Sequence, residues 1–191
     1  MGRILAFIKK RMKSLFFNKK ETWKDIEYFN KQWTERIEKM SVFISPSESV
    51  MDLGCGKMWL RSFLDSSNTY YPVDYTLRSD DTIVVDFNKN QFPDLKVDVV
   101  FASGVLEYID NPKEFVRKIS ECSKKCIISY CTVEYFPNRE ERVGHKWVNN
   151  LAFNDVVELF KANNMKMTNN LLSENNNTIF VFEKNENKSG E

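Results

Sequence analysis

A short apolar segment that runs directly into a glycine-rich turn constrains the fold of this chain more than any other feature. Residues 50–56 read Val-Met-Asp-Leu-Gly-Cys-Gly. Gly54 and Gly56 can adopt backbone angles that other residues avoid, and neither places a side chain in the path of a ligand. Asp52 adds a carboxylate beside the turn. Because a strand, such a turn and a helix together bind nucleotides in many α/β proteins, the segment predicts a cofactor site.

Length and charge distribution bound the class of protein. A chain of 191 residues fits one domain with a complete hydrophobic core. There are 28 basic and 27 acidic residues, but seven of the basic ones precede the first acid, Glu21. The remainder is therefore net acidic, which argues against extensive binding to the phosphate backbone of nucleic acid. We expect a basic amphipathic helix over residues 1–20, a folded domain over residues 21–184 and a disordered polar tail over residues 185–191.

The cysteines and the apolar runs indicate the compartment. Lysine and arginine at residues 9–11 interrupt the apolar stretch near the start, so no secretory signal is predicted. No apolar run approaches the roughly 18 residues that cross a bilayer. The spacing of Cys122, Cys126 and Cys131 does not match a metal-binding pair, and we expect no metal. The sequence therefore predicts a cytoplasmic protein.

The basic segment at residues 1–20 allows several interpretations. Its apolar residues fall on one stripe of a helical wheel, opposite most of its lysines. Such a helix suits an anionic membrane surface, which would make the protein peripheral. It would equally suit packing on its own domain, a partner protein or a nucleic acid.

Compact apolar runs alternate with helical patterns along the rest of the chain. The runs cover residues 50–53, 70–74, 82–86, 97–102 and 126–133. Runs without polar alternation are typical of parallel strands that helices cover on both faces. Residues 165–172 and 178–183 predict an antiparallel C-terminal hairpin. The predicted fold class is therefore α/β: a Rossmann-like, doubly wound, mostly parallel sheet of seven strands with N-terminal helices.

Helix signals lie between these runs. We predict helices over residues 23–40 and 58–64, a helix that Asn111 caps with Pro112 in its first position, and a helix from Asn154 to about Asn164. Four aromatic residues belong to the first of these regions: Trp23, Tyr28, Phe29 and Trp33. They either pack that helix on the sheet or form a lid over a substrate.

Residues 52–56 resemble the first motif of the class I S-adenosylmethionine-dependent methyltransferases. The resemblance extends over about residues 50–183 and is closest to the small-molecule, methyltransferase type 11-like branch. It implies that Asp52, Gly54, Cys55 and Gly56 border S-adenosylmethionine. The chain departs from the family at Met58, where a glycine is usual, and at residues 122–126, where the family often has a Pro-Gly-Gly turn.

Acids that follow the next two strands occupy the positions where the family binds the adenosyl group. Asp74 is predicted to accept hydrogen bonds from both ribose hydroxyls. The resemblance implies that Asp86 meets the adenine amino group and that Phe87 packs on the ring, with Tyr75 as a second stacking partner.

The stretch after the fourth strand is predicted to border the methionine portion of the cofactor. It begins with Ser103 and Gly104 and ends with Tyr108, where the family often has histidine. His145, the only histidine, lies in the loop after the fifth strand and is a candidate general base. The alternative is a solvated loop histidine.

The resemblance implies in-line methyl transfer to a small molecule or to a glycan- or lipid-linked precursor. Such a reaction requires alignment of donor and nucleophile and exclusion of water. A non-catalytic S-adenosylmethionine-binding module and an RNA methyltransferase are the alternatives. The sequence specifies neither the acceptor atom nor the oligomeric state.

Overall fold

A computed structural model of the protein describes residues 22–25, 27–173 and 176–185. The predicted helix over residues 1–20 lies outside these residues, as does the predicted tail apart from its first residue, Asn185.

One sheet organises the described part of the chain. Its strands are β1 (Ser49–Leu53), β2 (Thr69–Asp74), β3 (Ile83–Val84), β4 (Val97–Ser103), β5 (Ser123–Tyr130), β6 (Met165–Leu172) and β7 (Thr178–Lys184). They lie in the order β3-β2-β1-β4-β5-β7-β6. Strands β1 to β5 pair in parallel, whereas β7 pairs antiparallel with both β5 and β6. The predicted Rossmann-like sheet with an antiparallel C-terminal hairpin is confirmed.

The register between neighbouring parallel strands determines where their carboxyl ends lie. Val50 of β1 aligns with Tyr70 of β2 and with Val99 of β4. The carboxyl ends of these three strands therefore meet at one edge of the sheet. On the far side, an irregularity interrupts β6 between Met167 and Asn169.

Helices connect the strands. The α-helices within the described residues are α1 (Trp33–Ser41), α2 (Pro112–Cys122), α3 (Arg139–Gly144) and α4 (Phe153–Lys161). Short 3-10 helices cover Trp23–Asp25, Trp59–Phe63, Phe87–Lys89 and Leu106–Tyr108. As predicted, Asn111 caps α2, because its side chain accepts a hydrogen bond from Glu114 N at 3.2 Å. No helix in the described ranges is long and apolar enough to span a bilayer.

The core has two halves, one on each face of the sheet. Val99 and Phe101 face the half that contains Ile37 of α1. Their neighbour Val100 faces the other half, which contains Val116 of α2. Apolar side chains on both faces explain why the strands read as uninterrupted apolar runs.

The predicted helix over residues 23–40 is wrong in its first half. The structure has a single 3-10 turn at Trp23–Asp25, and α1 begins only at Trp33. Asn30 Oδ1 accepts a hydrogen bond from Gln32 N at 2.9 Å, and Asn30 O accepts one from Trp33 N at 2.9 Å. Because the asparagine side chain bonds the backbone locally, it competes with a continuous helix.

Two strands, β5 and β3, and one helix, α3, also differ from the prediction. Strand β5 begins at Ser123 rather than at residue 126 and ends at Tyr130, and β3 is limited to Ile83–Val84. Lys124 and Lys125, which read as a loop, extend from β5 to acids: Lys124 Nζ lies 2.8 Å from Asp98 and Lys125 Nζ 2.8 Å from Glu48. Helix α3 lies within a segment predicted as loop.

Candidate active site

A cavity of about 390 Å³ lies at the carboxyl edge of the parallel strands. Its volume falls in the range of about 300–1,000 Å³ that small-ligand pockets occupy. Residues that follow β1, β2 and β4 line it. The structure brings every candidate residue from the sequence to this one cavity: Asp52, Gly54, Cys55, Gly56, Asp74, Tyr75, Asp86, Phe87, Ser103, Gly104 and His145.

The glycine turn leaves no room for side chains. Gly54 and Gly56 have φ values of +72° and +49°. A Cβ on Gly54 would lie 2.6 Å from Val105 Cγ2, and one on Gly56 would lie 2.5 Å from Phe29 Cε1. Met58 continues the turn with φ +53°, the left-handed conformation that favours glycine. The turn is therefore bare backbone in the cavity wall, packed by Val105 and Phe29, and we call residues 54–56 the glycine cradle.

Asp74 is buried at the end of β2, and its carboxylate is fixed on both sides. Oδ2 accepts a hydrogen bond from Gly56 N at 3.0 Å, and Oδ1 accepts one from Arg78 Nη2 at 3.1 Å. Arg78 Nη1 also donates to Glu27 Oε2 at 3.0 Å. This network ties the glycine turn, strand β2 and the segment before α1 together at the cavity wall.

Asp52 lies deeper than Asp74. It is buried in β1, and Oδ2 accepts a hydrogen bond from the Tyr70 hydroxyl at 2.7 Å. Burial raises the pKa of Asp52 to about 7; the hydrogen bond from Tyr70 opposes this shift and the charge of Asp74 adds to it. Burial likewise raises the pKa of the Cys55 thiol, so this cysteine stays protonated at neutral pH.

Asp86 caps the short helix Phe87–Lys89, because Oδ1 accepts a hydrogen bond from Asn88 N at 3.2 Å. Its other oxygen, Oδ2, lies 2.5 Å from Lys24 Nζ. The ring of Phe87 packs against Phe115 of α2, with centroids 5.2 Å apart. Asp86 thus connects the segment before α1 with the residues that follow β3.

The aromatic residues of the N-terminal region contact the cavity directly. Trp23, Tyr28, Phe29 and Trp33 all line it. The Trp23 ring lies 4.8 Å from the Tyr75 ring and 5.3 Å from the Tyr108 ring, between centroids. The segment before α1 therefore covers the side of the cavity where Tyr75 and Asp86 lie.

Two buried charged residues in the cavity wall were missed by the sequence analysis. Arg36 of α1 is 8% exposed, and its Nε donates to Ser103 Oγ at 2.9 Å. Its Nη2 would lie 3.0 Å from a Cβ on Gly104. Burial lowers the pKa of Arg36, and the charge of Glu107 opposes this shift. In the sequence Arg36 reads as an ordinary exposed cation of a helix, so no signal pointed to it.

Glu107 is the second. It is 2% exposed, and Oε1 accepts a hydrogen bond from Cys131 N at 2.9 Å. No hydrogen-bond donor among the described residues reaches Oε2. Burial raises the pKa of Glu107, while the Cys131 N–H and the charges of Arg36 and Arg142 oppose the shift.

Aromatic rings form the opposite side of the cavity, which we call the aromatic wall and define as Phe136, His145 and Trp147. His145 stacks on Trp147 with centroids 5.1 Å apart, and Phe136 lies 5.3 Å from Trp147. The Tyr108 hydroxyl is hydrogen-bonded to the Trp147 side chain, and burial raises the pKa of Tyr108 to about 12. His145 itself is exposed at the rim.

Arg142 supports the aromatic wall from behind. It is 1% exposed, and its Cζ lies 4.8 Å from the Trp147 ring centroid. Its guanidinium donates hydrogen bonds to Asn150 Oδ1 (2.8 Å), Cys131 O (2.9 Å), Phe136 O (3.1 Å), the Tyr130 hydroxyl (2.9 Å) and Asn149 O (3.4 Å). These bonds join the loop after β5 to the loop after α3.

The described residues contain no group of three or more histidine, cysteine, aspartate or glutamate side chains placed to hold a metal ion. All four cysteines, which lie in this part of the chain, are buried as free thiols.

Comparisons with known proteins identify the class. The sheet, the glycine turn and the strand-end acids are the arrangement of a Rossmann-like methyltransferase, and a family model described as a methyltransferase domain matches residues 23–181. The chain belongs to this family and is an S-adenosylmethionine-dependent methyltransferase. No curated protein sequence matches it.

Solved structures share the fold at low sequence identity. A Haloferax volcanii methyltransferase, solved with the Trm112 methyltransferase activator, has a TM-score of 0.64 and 13% identity, over 80% of this chain and 89% of that one. Magnesium protoporphyrin IX methyltransferase from Synechocystis PCC 6803 with bound SAH has a TM-score of 0.63 and 13% identity, over 80% and 83%. CalO1, a methyltransferase in calicheamicin biosynthesis, has a TM-score of 0.62 and 12% identity, over 81% and 54%.

Proposed function

We propose that the cavity binds S-adenosylmethionine on its glycine-turn side and a planar, apolar small molecule against its aromatic wall. The observation that carries the proposal is that one cavity joins the glycine cradle, three strand-end acids and a set of stacked rings. The glycine cradle and the acids offer polar groups to the cofactor, and the stacked rings offer an apolar surface to the acceptor.

The residues around the glycine turn fit the cofactor. Asp74 would accept hydrogen bonds from the ribose hydroxyls, and Asp86 would accept one from the adenine amino group. Gly54 and Gly56 would allow the close approach that their backbone conformations favour. A buried carboxylate at the end of a strand is a strong acceptor for hydroxyl donors, which supports this assignment.

Arg36 would bind the carboxylate of the methionine portion. Its guanidinium lies beside Ser103 and Gly104, the residues that the family resemblance places next to that portion. Arginine forms bidentate hydrogen bonds with carboxylates, and a buried cation gains most from such a partner. Arg36 therefore extends the cofactor site beyond the residues identified in the sequence.

Bound S-adenosylmethionine supplies a methyl group on a positively charged sulfur, which a nucleophile displaces in line. The chain must align the nucleophile and exclude water. Phe29, Trp33 and Trp147 line the cavity from different sides and are suited to exclude water.

The aromatic wall favours a planar acceptor, because flat rings stack or meet edge to face with a gain of about 0.5–1.5 kcal/mol per pair. Among similarly folded proteins are magnesium protoporphyrin IX methyltransferase and the pyocyanin biosynthetic protein PhzM. A planar conjugated acceptor is consistent with both. Glycan- and lipid-linked precursors remain the alternative acceptors.

Calorimetry with S-adenosylhomocysteine tests the cofactor half. We expect the wild-type protein to bind it and Asp74→Asn to bind it about 10- to 100-fold more weakly, because charge-assisted hydrogen bonds to the ribose are lost. Asp98→Asn is the matched control, since Asp98 lies at the amino end of β4, on the opposite edge of the sheet. Equal affinity in all three proteins would contradict the assignment of Asp74.

An acceptor panel tests the other half. We expect release of S-adenosylhomocysteine with planar aromatic hydroxyl or amine compounds, and Trp147→Leu should raise KM for them about tenfold without changing cofactor affinity. Turnover only with sugars, lipid-linked glycans or RNA would overturn the planar acceptor.

His145 is proposed to accept the proton of a hydroxyl or amine acceptor. Its imidazole belongs to the aromatic wall and lines the cavity. A positioned base contributes about 10²- to 10⁴-fold to the rate. We expect His145→Gln to lower kcat at least tenfold with unchanged cofactor binding, measured on the acceptor found above. Unchanged turnover at saturating acceptor would remove His145 from the mechanism.

A further inference from the structure

Two adjacent residues of the segment before α1 contact the adenine side of the proposed cofactor site. Lys24 Nζ lies 2.5 Å from Asp86 Oδ2 and 5.0 Å from the centre of the Tyr75 ring. The indole of Trp23 lies against Tyr75, with centroids 4.8 Å apart. Asp86 is proposed above to meet the adenine amino group, and the family resemblance makes Tyr75 a second stacking partner of the adenine ring beside Phe87.

The pair resembles adenine in shape and in hydrogen-bond donation, although Lys24 also carries a positive charge. Trp23 supplies a flat bicyclic ring, and Lys24 supplies a nitrogen donor to a carboxylate. With Asn88 N on Oδ1 and Lys24 on Oδ2, each oxygen of Asp86 already accepts a donor. Since a carboxylate oxygen can accept more than one hydrogen bond, occupation alone does not exclude adenine. Competition arises because the Lys24 ammonium, 2.5 Å from Oδ2, and the Trp23 ring lie on the side of Asp86 and Tyr75 where adenine is proposed to bind.

We infer that Trp23 and Lys24 form an internal pseudo-ligand, which lies on the adenine side of the cofactor site and moves away when the cofactor binds. The inference rests on the proposed function, because it takes Asp86 as the partner of the adenine amino group. It adds an autoinhibitory contact within the chain that lowers the apparent affinity for the cofactor.

The segment that contains Trp23 and Lys24 can move away at a small cost in free energy. The 3-10 helix Trp23–Asp25 contains no buried residue. Thr22 closes it locally, since Thr22 N and Oγ1 donate to Asp25 Oδ2 at 2.8 and 2.9 Å. The Lys24 side chain is 33% exposed, so water and salt weaken its ion pair. A short segment with few buried contacts opens more easily than the core.

Lys89 provides a matched control. Its Nζ lies 3.9 Å from the same Asp86 oxygen, but its side chain is 74% exposed. Removing either lysine changes the local charge equally, whereas only Lys24 makes the close contact. We therefore compare the affinity of wild type, Lys24→Met and Lys89→Met for S-adenosylhomocysteine by calorimetry.

We expect Lys24→Met to bind S-adenosylhomocysteine about three- to fivefold more tightly than wild type, and Lys89→Met to bind within about twofold of it. Raising the salt concentration from about 0.05 M to about 0.5 M should tighten binding by wild type but not by Lys24→Met, because salt screens the competing ion pair.

Unchanged or weaker binding by Lys24→Met, with clear binding by wild type, would overturn this inference alone and would instead make the segment a cover that closes over bound cofactor. Absence of binding by wild type would overturn the proposed function, and the inference with it.

Discussion

Met58 carries a conformational cost at the candidate site. It adopts φ +53° directly after the glycine turn, where the resembling family usually has glycine. A side chain in the left-handed region costs roughly 1–2 kcal/mol. The Met58 thioether accepts a hydrogen bond from the Ser79 hydroxyl at 3.4 Å, which offsets only a small part of this cost because sulfur is a weak acceptor.

Met58→Gly should therefore raise the free energy of unfolding by about 1 kcal/mol. Urea denaturation of the cofactor-free protein measures the effect. Met58→Ala is the control, because it removes the same side-chain contacts and keeps the strained backbone; we expect it to be no more stable than wild type. A loss of stability in the glycine variant would show that side-chain contacts outweigh backbone strain.

Asp52 should make stability depend on pH. Burial raises its pKa from 3.8 to about 7, so the folded protein holds a proton that the unfolded chain releases between these values. The free energy of unfolding should therefore fall as the pH rises from about 4 to about 7. Asp52→Asn cannot titrate, so its stability relative to wild type should increase between about pH 5 and about pH 7.5.

Denaturation curves at the two pH values measure this difference, which we expect to be of the order of a few kcal/mol at most. Asp80→Asn serves as control, because Asp80 is exposed. If the free energies of unfolding of Asp52→Asn and wild type changed in parallel with pH, the Asp52 carboxyl group would be ionised in the folded protein.

The charged residues of the site show which positions the sequence could predict and which it could not. The acids and glycines of the site were predicted because they follow strands, and buried strands are recognised in a sequence as apolar runs. Arg36 and Glu107 were missed because burial, not residue type, distinguishes them. Their neighbours Ser103 and Cys131 come from other elements, and only the folded chain shows these contacts.

Helix α3 depends on Arg142, its single buried residue. The guanidinium donates to acceptors in two loops, and replacing it would remove these hydrogen bonds, among them the buried one to Cys131 O. We expect Arg142→Met to lower the free energy of unfolding by about 1–3 kcal/mol, because its hydrogen bonds are to neutral acceptors. Arg139→Met, in the same helix but exposed, should change it by less than about 0.5 kcal/mol.

Urea denaturation of both variants tests this expectation, and Arg142→Lys adds a finer comparison. Lysine keeps the charge but has fewer donors and no planar fork, so an intermediate loss is expected. Similar stability of Arg142→Met and Arg139→Met would mean that the two loops hold their positions without the arginine.

The boundaries of helices and strands were in general predicted where local contacts determine them and missed where distant contacts do. The N-terminal cap of α2 was predicted correctly because Asn111 and Pro112 act locally. Asn30 also acts locally, yet its side-chain bond to the backbone was overlooked, so the predicted helix began too early. The start of β5 was missed because two consecutive lysines read as a loop. Only the folded chain shows that Ser123 already pairs with Val97 of β4 and that the Lys125 side chain is mostly buried beside Glu48.

At the scale of the whole chain, the basic segment at residues 1–20 is predicted to bind an anionic membrane. Each basic residue near an anionic bilayer contributes about 1 kcal/mol of attraction. We expect full-length protein to sediment with vesicles that contain phosphatidylserine, and a variant lacking residues 1–20 to remain in the supernatant. Neutral vesicles and high salt are the controls. Equal sedimentation of both proteins would show that residues 1–20 do not bind the membrane.

Strand β6 forms one margin of the sheet, and the irregularity between Met167 and Asn169 lies within it. The residues beside that irregularity, Thr168, Asn169 and Asn170, are polar, and all three are exposed. A regular apolar margin would offer its unpaired amide and carbonyl groups to the strand of another molecule. The broken register and polar surface of β6 make it a poor template for such pairing, which protects the protein against aggregation through this side.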